Sequence, residues 1–245
     1  MDNSPTKTLA AKIAVIIPAF NEEQSIVSVV NAVSNISNTA GIKLVPVVVN
    51  DCSTDNTALV LKETSAVLLD LPVNLGIGGA VQTGILYALE NNFDFAVQVD
   101  GDGQHPAQFI PDLVNAALNQ KVDVVVGSRF MTKDGFLSTK TRRAGIKWFY
   151  LLNRFLTGTR VLDATSGFRL FNRNAIRLMA DNYPDDYPEP EAIVLFSRAG
   201  LKIAEIPVKM KEREGGVSSI RGFSTLYYMW KVSLGIIFTY FRKIK

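Results

Sequence analysis

The sequence predicts an α/β fold, a mostly parallel sheet flanked by helices. Three observations predict it. Short continuous apolar runs, such as residues 13–17 (IAVII), read as strands buried on both faces. These runs alternate with stretches of helix length, the pattern of parallel strands joined by right-handed crossovers. Polar loops bearing Gly, Asn or Asp sit where strands end, at residues 18–22, 50–55, 74–79 and 100–104. Ligands bind such sheets beyond the carboxyl ends of the strands, so the four loops are expected to converge on one edge.

The elements follow in order. Residues 1–11 read as a frayed leader, and MDNSPTKTLAAK lacks the long apolar core of a signal peptide. After the first strand a helix is expected from about Glu23 to Ser37, then a strand from Lys43 to Asn50. Asp55 or Thr54 is expected to cap a helix through about Glu63, followed by a short strand from Ala66 to Leu69. Asn74-Leu75-Gly76-Ile77-Gly78-Gly79 opens a helix to about Asn91, and its backbone N–H groups suit an anion. A loop simply entering a helix is the alternative, and neither GxGxxG nor GxxxxGK[ST] is present. Phe95 to Val99 is a strand, Pro106 to Asn119 a helix and Val122 to Gly127 a strand. Beyond these, Ser138–Thr157 reads as a helix, Ala164–Phe171 as a polar turn and short strand, Glu189–Ala199 as a helix and Lys202–Met210 as a strand. From Phe223 to Phe241 the chain is strongly apolar, with Lys231 its one charge.

The chemistry centres on Asp100-Gly101-Asp102-Gly103, where a buried strand opens into a loop. Hard oxygen ligands on a flexible turn suit Mg²⁺ or Mn²⁺, which also take phosphate oxygens. Gly101 and Gly103 let the backbone approach a ligand. Alone, the motif reads equally as a solvated strand-to-helix turn. His105, the one histidine, fits either a metal ligand beside Asp102 or a helix-entry residue bonded to backbone. Asp51 suits accepting a base N–H, or simply forming a turn.

Composition bounds the reading. The chain has 245 residues, 47% hydrophobic, enough for a sizeable core in one large domain or in one domain plus an extension. A net charge of +3 does not indicate nucleic acid as a partner. Cys52 is the only cysteine, so no intramolecular disulfide forms and a reducing compartment is expected.

Taken together, the motifs are specific. Pro18-Ala19-Phe20-Asn21-Glu22, Asn50-Asp51-Cys52-Ser53-Thr54-Asp55, Asn74-Leu75-Gly76 and Asp100 to Pro106 occur in the order seen in the inverting family-two glycosyltransferases, which have the Rossmann-like GT-A fold. Gly127-Ser128-Arg129, residues 163–169 (DATSGFR) and residues 213–218 (REGGVS) resemble the dolichyl-phosphate mannose synthase branch. The resemblance implies a catalytic domain over residues 1–219, with a donor half at about 12–127, an acceptor half at about 128–219, and a C-terminal apolar helix over 220–245. It implies that Pro18, Ala19, Glu22 and Asp51 hold the nucleoside, with Asn21, Asn74, Gly76 and Gly79 on the same edge. Asp100 and Asp102 would bind the metal and face the diphosphate, beside Gln104. Ser128, Arg129, Ser166 and Arg169 would face an acceptor phosphate, and Arg213 would clamp the donor diphosphate. Asp102, Arg169 and Arg213 form the implied catalytic set.

The implied reaction moves a hexose or N-acetylhexosamine from a UDP- or GDP-sugar to a polyprenyl phosphate, with inversion, for cell-envelope glycan or glycoconjugate synthesis. A phosphate monoester is already anionic, so it needs positioning rather than a general base. Transfer to a saccharide hydroxyl, with Glu189 or Glu191 as base, is one alternative. A non-catalytic nucleotide-sugar-binding subunit of a membrane complex is another. Residues 186–191 (DYPEPE) depart from the mannose synthases, which leaves the sugar open. A lipid acceptor calls for peripheral contact with the cytoplasmic membrane face. The 138–157 helix, mixing Arg142, Arg143 and Lys147 with Trp148, Phe149 and Phe155, suits an interface, and residues 223–241 suit interface, core, homo-oligomer or a small membrane-protein partner.

Overall fold

A computed structural model of the protein describes residues 11–40, 42–131, 140–184, 188–210 and 224–244. The strands are β1 (Lys12–Ala19), β2 (Lys43–Asn50), β3 (Val67–Asp70), β4 (Phe95–Gln98), β5 (Val124–Ser128), β6 (Arg169–Asn172) and β7 (Ile203–Pro207). The helices are α1 (Ile26–Ala40), α2 (Thr57–Leu61), α3 (Gly76–Glu90), α4 (Ile110–Gln120), α5 (Lys140–Thr157), α6 (Arg173–Asn182), α7 (Pro188–Arg198) and α8 (Ser224–Phe241). One seven-stranded sheet runs in the order β3-β2-β1-β4-β6-β5-β7. Every pairing is parallel except those of β6, which is antiparallel to both β4 and β5.

The alternation of side chains along each strand builds two cores. On β1, Ala14 and Ile16 face one layer while Ile13, Val15 and Ile17 face the other. The first layer is closed by α3, α5, α6, α7 and α8 through residues such as Ile85, Phe149, Met179, Phe196 and Ile236. The second is closed by α1 and α4 through Ile26, Val30, Ile110 and Leu113. Gly84 lets α3 lie directly on β1, since a Cβ there would overlap the Ile16 side chain.

The reversal of β6 decides where the site lies. The ends of β1, β2, β4 and β5 share one edge. Because β6 runs backwards, its start rather than its end reaches that edge, with Arg169 opposite Gln98 and Val126 in the ladder. The turn at residues 163–168 is thereby delivered to the same edge as the four polar loops.

Several elements differ from the sequence expectation. Asn56, not Asp55 or Thr54, occupies the N-cap position of α2, while the Asp55 carboxylate accepts from the Thr57 backbone N–H at 2.9 Å. A 3₁₀ turn (Ala107–Phe109) precedes α4. The helix α6 was not expected, although Asn172 caps it by accepting from the backbone N–H groups of Asn174 and Ala175 at 2.9 and 3.1 Å. The apolar C-terminal run is a helix that buries Val232 and Ile236 in the core and leaves Tyr227, Trp230, Phe238 and Phe241 exposed. Among the described residues, no helix is long and apolar enough to cross a membrane.

Candidate active site

The loops after β1 and β2 are laced together by short polar side chains. Asn21 adopts φ +57°, which Asn tolerates better than most residues. Its backbone N–H donates to Ser53 Oγ at 2.9 Å, and its Oδ1 accepts from the Thr54 N–H at 2.8 Å. The Glu22 N–H donates to Thr57 Oγ1 at 2.9 Å, and the Glu22 carboxylate accepts from Ser25 Oγ at 2.7 Å. Pro18 and Ala19 lie at the buried end of β1. The chain passes close to the Pro18 carbonyl, since a Cβ on Gly101 would come within 3.1 Å of that oxygen.

The anion at the N-terminus of α3 is supplied by the chain itself. Buried Asp51 accepts from the Leu75 N–H at 2.7 Å and from the Gly76 N–H at 2.9 Å, one per carboxylate oxygen. Asn74 closes the same knot by donating to the Asp51 carbonyl at 3.0 Å. Gly76 sits at φ +75°, and a Cβ on Gly79 would overlap Leu75. The loop expected to bind an external anion through these two N–H groups therefore spends them on Asp51. Each oxygen of Asp51 retains a second lone pair for a further donor.

The Asp-Gly-Asp-Gly turn lies at the centre of the edge. The Asp100 N–H donates to His105 Nδ1 at 2.9 Å, and His105 Nε2 lies 3.5 Å from Asp100 Oδ2. His105 stacks on Phe168 and is buried, and burial pushes its pKa down to about 4, so the ring is neutral near pH 7. This backbone bond is the one that the helix-entry reading of His105 expects. Asp102 is buried and accepts from the Gln104 N–H at 3.0 Å, whereas the Asp100 side chain is 37% exposed. Hard carboxylate oxygens at two depths of one turn suit a divalent cation that also takes substrate oxygens. Among the described residues no cluster of three or more His, Cys, Asp or Glu forms a self-sufficient metal site.

The turn at residues 163–168 meets this centre at Gly167. A methyl at that position would lie 3.3 Å from Asp100 Oδ1 and 3.0 Å from Gln98 Nε2. Fully buried Asp163 grips Arg129, accepting from its Nε and Nη2 at 2.7 Å each and from its backbone N–H at 3.0 Å. Burial disfavours the Arg129 charge, but Asp163 outweighs it and raises the pKa above its ordinary value. Thr165 Oγ1 also accepts from Nη2, and Nη1 is outside these bonds.

Three residues expected to face an acceptor phosphate lie buried instead. Ser128, the last residue of β5, is fully buried. Ser166 donates its hydroxyl to the Gly127 carbonyl at 2.7 Å. Arg169 is fully buried, donating from Nε to the Ser166 carbonyl at 2.7 Å and from Nη2 to the Ala164 carbonyl at 2.8 Å. Arg169 and Ser166 thereby brace the turn, Arg169 from its ladder position in β6 and Ser166 through the Gly127 carbonyl, and Ser128 lies at the end of β5 beside them. Arg213 lies outside the described residues, as do Asp186 and Tyr187.

Two glutamates that the sequence offered together point apart. Glu191 is held by α8, accepting from Thr239 Oγ1 at 3.1 Å, and a side chain on Gly235 would overlap its carboxylate. Glu189, in the first turn of α7, is partly exposed and lies within electrostatic reach of Asp100, His105, Arg129 and Arg169. Burial raises its pKa, Arg169 opposes that shift and Asp100 adds to it. The sequence signal for this residue was its place in DYPEPE, the stretch that departs from the mannose synthases.

Beside the site, α5 and α8 pack through the Trp148 indole N–H donating to Ser233 Oγ at 2.9 Å and through Phe149 against Tyr228. Phe149, grouped by sequence with the interfacial residues, is a core residue. Trp148, Leu151 and Phe155 are exposed, Phe155 at 86%. The two helices carry no acidic residue.

Comparison with known proteins completes the picture. Residues 14–179 match the family described as Glycosyl transferase family 2. A UDP-N-acetylglucosamine–dolichyl-phosphate N-acetylglucosaminyltransferase of Methanococcus voltae is 30% identical over 247 residues, covering 91% of this chain and 96% of that protein. An undecaprenyl-phosphate mannosyltransferase of Micrococcus luteus is 26% identical, covering 86% of this chain and 88% of that protein. Glucosyl-3-phosphoglycerate synthase of Mycobacterium tuberculosis, solved with Mn²⁺, UDP and glucosyl-3-phosphoglycerate, superposes with a TM-score of 0.69 at 23% identity, covering 94% of this chain and 80% of that chain. That last likeness is one of fold. The chain belongs to glycosyltransferase family 2 and is a glycosyltransferase, similar over most of its length to the polyprenyl-phosphate sugar transferases of that family.

Proposed function

We propose that the chain transfers a hexosyl or N-acetylhexosaminyl group from a UDP- or GDP-sugar to a polyprenyl phosphate, with inversion, while resting on the cytoplasmic face of a membrane. The observation that carries this reading is the meeting of two half-sites at Asp100 and Gly167. One half carries the nucleotide-side loops and two carboxylates. The other presents an arginine pinned by a buried aspartate.

On the donor side, Pro18, Ala19, Asn21, Glu22 and Asp51 surround the nucleoside, with Asn74, Gly76 and Gly79 completing that edge. Asp100 and Asp102 fit Mg²⁺ or Mn²⁺, with Gln104 beside them, because two hard carboxylates leave the remaining positions to water and diphosphate oxygens. A divalent ion bound there would neutralise charge developing on the departing nucleoside diphosphate. Arg213 would add a second cation to the same oxygens. On the acceptor side, Asp163 fixes the Arg129 fork, so Nη1 meets an incoming phosphate with little ordering left to lose. The acceptor oxygen attacks the anomeric carbon as an anion and needs no base.

Membrane contact is assigned to the acid-free pair α5 and α8. Arg143, Lys147 and Arg154 on α5 lie near exposed Trp148, Leu151 and Phe155, and α8 adds Tyr227, Trp230, Phe238 and Phe241. Aromatics with basic neighbours and no acids suit an anionic headgroup layer.

The test is a coupled assay of UDP or GDP release from UDP-glucose, UDP-N-acetylglucosamine and GDP-mannose. Release is expected with undecaprenyl phosphate in vesicles plus Mn²⁺ or Mg²⁺, and not with excess chelator. Release driven by a water-soluble saccharide instead would replace this acceptor with a hydroxyl. Full activity in chelator would remove the metal.

A further inference from the structure

We infer that Glu205 is a positioning residue for the acceptor phosphate. It clasps the backbone from which Asp163 reaches Arg129, and so sets where the arginine fork points. This inference rests on the proposed role of Arg129 toward a phosphate monoester.

Glu205 lies half-buried on β7, the edge strand of the sheet. A charge on an edge strand commonly serves only to discourage edge-to-edge pairing, from a solvated position. Glu205 instead commits both oxygens to the chain. Its Oε2 accepts from the Leu162 N–H at 2.7 Å and its Oε1 from the Asp163 N–H at 2.9 Å. Consecutive N–H groups of a turn aimed at one anion make an anion-binding concavity, and each bond is charge-assisted. The strands β5 and β7 pair in parallel, with Glu205 opposite Val126, three residues before Arg129. The carboxylate and the arginine therefore approach one turn from adjoining strands.

The carbonyls of the turn are held by the opposite charge. Arg169 donates to the Ala164 and Ser166 carbonyls at 2.8 and 2.7 Å. The Ser166 N–H donates to the Asp163 carbonyl at 3.2 Å, and the Gly127 N–H to the Phe168 carbonyl at 2.8 Å. An anion on its N–H groups and a cation on its carbonyls fix the turn at both kinds of backbone group. Asp163 leaves that fixed backbone with Oδ2 bonded to the Arg129 N–H and Nε, and Oδ1 to Nη2. Thr165 Oγ1 takes the second Nη2 hydrogen at 2.9 Å. Every hydrogen on Nε and Nη2 is thus committed, and Nη1 is the donor that remains for a phosphate. Hydrogen bonds weaken steeply with misalignment, so a rotation of the Asp163 backbone would carry Nη1 out of line. Glu205 resists that rotation, because it bonds the Asp163 N–H itself.

Acceptor kinetics test this role, with undecaprenyl phosphate in vesicles and the donor that the wild type uses among UDP-glucose, UDP-N-acetylglucosamine and GDP-mannose. Glu205→Gln keeps the length of the side chain and one acceptor oxygen, and turns an amide against the other N–H. It is expected to raise the acceptor KM about ten-fold, with kcat within about three-fold and calorimetric affinity for free UDP or GDP within about two-fold. In an Arg129→Lys background the same substitution is expected to change acceptor kcat/KM by less than about two-fold, because no fork remains to be aimed. If Glu205→Gln does not fold, Glu205→Asp carries both readouts, since it keeps the charge and withdraws it by one carbon. An acceptor KM unchanged in a folded Glu205 variant overturns the inference while leaving the transfer reaction standing. So does an effect that multiplies in full with that of Arg129→Lys, and so does a matching loss of UDP or GDP affinity, which marks a general weakening of the fold. A wild type that transfers nothing to undecaprenyl phosphate overturns the proposed function and this inference with it.

Discussion

Removing the Asp163 carboxylate should unpin the acceptor side. Asp163 is fully buried and accepts three bonds from Arg129, while the Arg129 side chain is 14% exposed. In Asp163→Ala the guanidinium loses its counter-charge without gaining water. Breaking a buried pair in this way costs about 3–5 kcal/mol. At about 2–4 °C per kcal/mol for a chain of this size, Tm falls by roughly 6–20 °C. Glu205 still holds the turn, accepting from the Leu162 and Asp163 backbone N–H groups at 2.7 and 2.9 Å, so the damage centres on Arg129. Urea denaturation of Asp163→Ala, Arg129→Ala and the double variant closes a thermodynamic cycle. The expected coupling is about 2 kcal/mol or more, with polyprenyl-phosphate KM rising in both single variants. A loss below about 1 kcal/mol with no coupling would refute the claim that this pair is a buried, interdependent unit.

Four further outcomes are expected. Asp102→Asn should keep the fold by circular dichroism and cut kcat by about 100-fold or more, the size of losing one charge-stabilising group in a transition state; undiminished turnover would remove Asp102 from catalysis. Gly84→Ala should destabilise by about 1–3 kcal/mol in urea, because its Cβ overlaps Ile16 between α3 and β1. Asp123 is disfavoured by burial but held below its ordinary pKa by the Lys202 N–H and by Asn172 and Asn174. Its stabilisation is therefore present above pH 3.8 and lost as pH falls through its folded value, so Asp123→Asn should flatten the acid limb of a stability profile. Arg143→Glu with Lys147→Glu should weaken flotation with anionic vesicles, as should high salt; binding indifferent to both would leave the exposed aromatics of α8 as the anchor.

The N-terminal half of the sheet was legible in the sequence because its signals are local. Residues 13–17 announce a strand, and Asp100-Gly101-Asp102-Gly103 announces a strand end, without knowledge of distant partners. The segment around β6 depends on pairing. Arg169 reads as a phosphate ligand by residue type, yet its register opposite Gln98 and Val126 buries it. Nothing within residues 163–172 states that β6 runs antiparallel; that follows from the strands on either side. Asp51 reads as a nucleoside ligand, and its capture of the Leu75 and Gly76 N–H groups emerges only when two loops 24 and 25 residues apart are brought together. Glu189 and Glu191 were indistinguishable in DYPEPE, and Gly235 on a distant helix separates them. The helix α6 was within reach, since Asn172 caps it and Ala175, Ile176, Met179 and Ala180 mark its buried face.

Mass spectrometry of the lipid product tests the central claim most directly. Enzyme, undecaprenyl phosphate in vesicles, Mn²⁺ and each of the three nucleotide sugars are incubated, and the organic phase is analysed. One donor-dependent species is expected, the polyprenyl phosphate heavier by a single hexosyl or N-acetylhexosaminyl group and absent with Asp102→Asn. An unmodified polyprenyl phosphate with every donor, from protein that binds UDP or GDP, would contradict it.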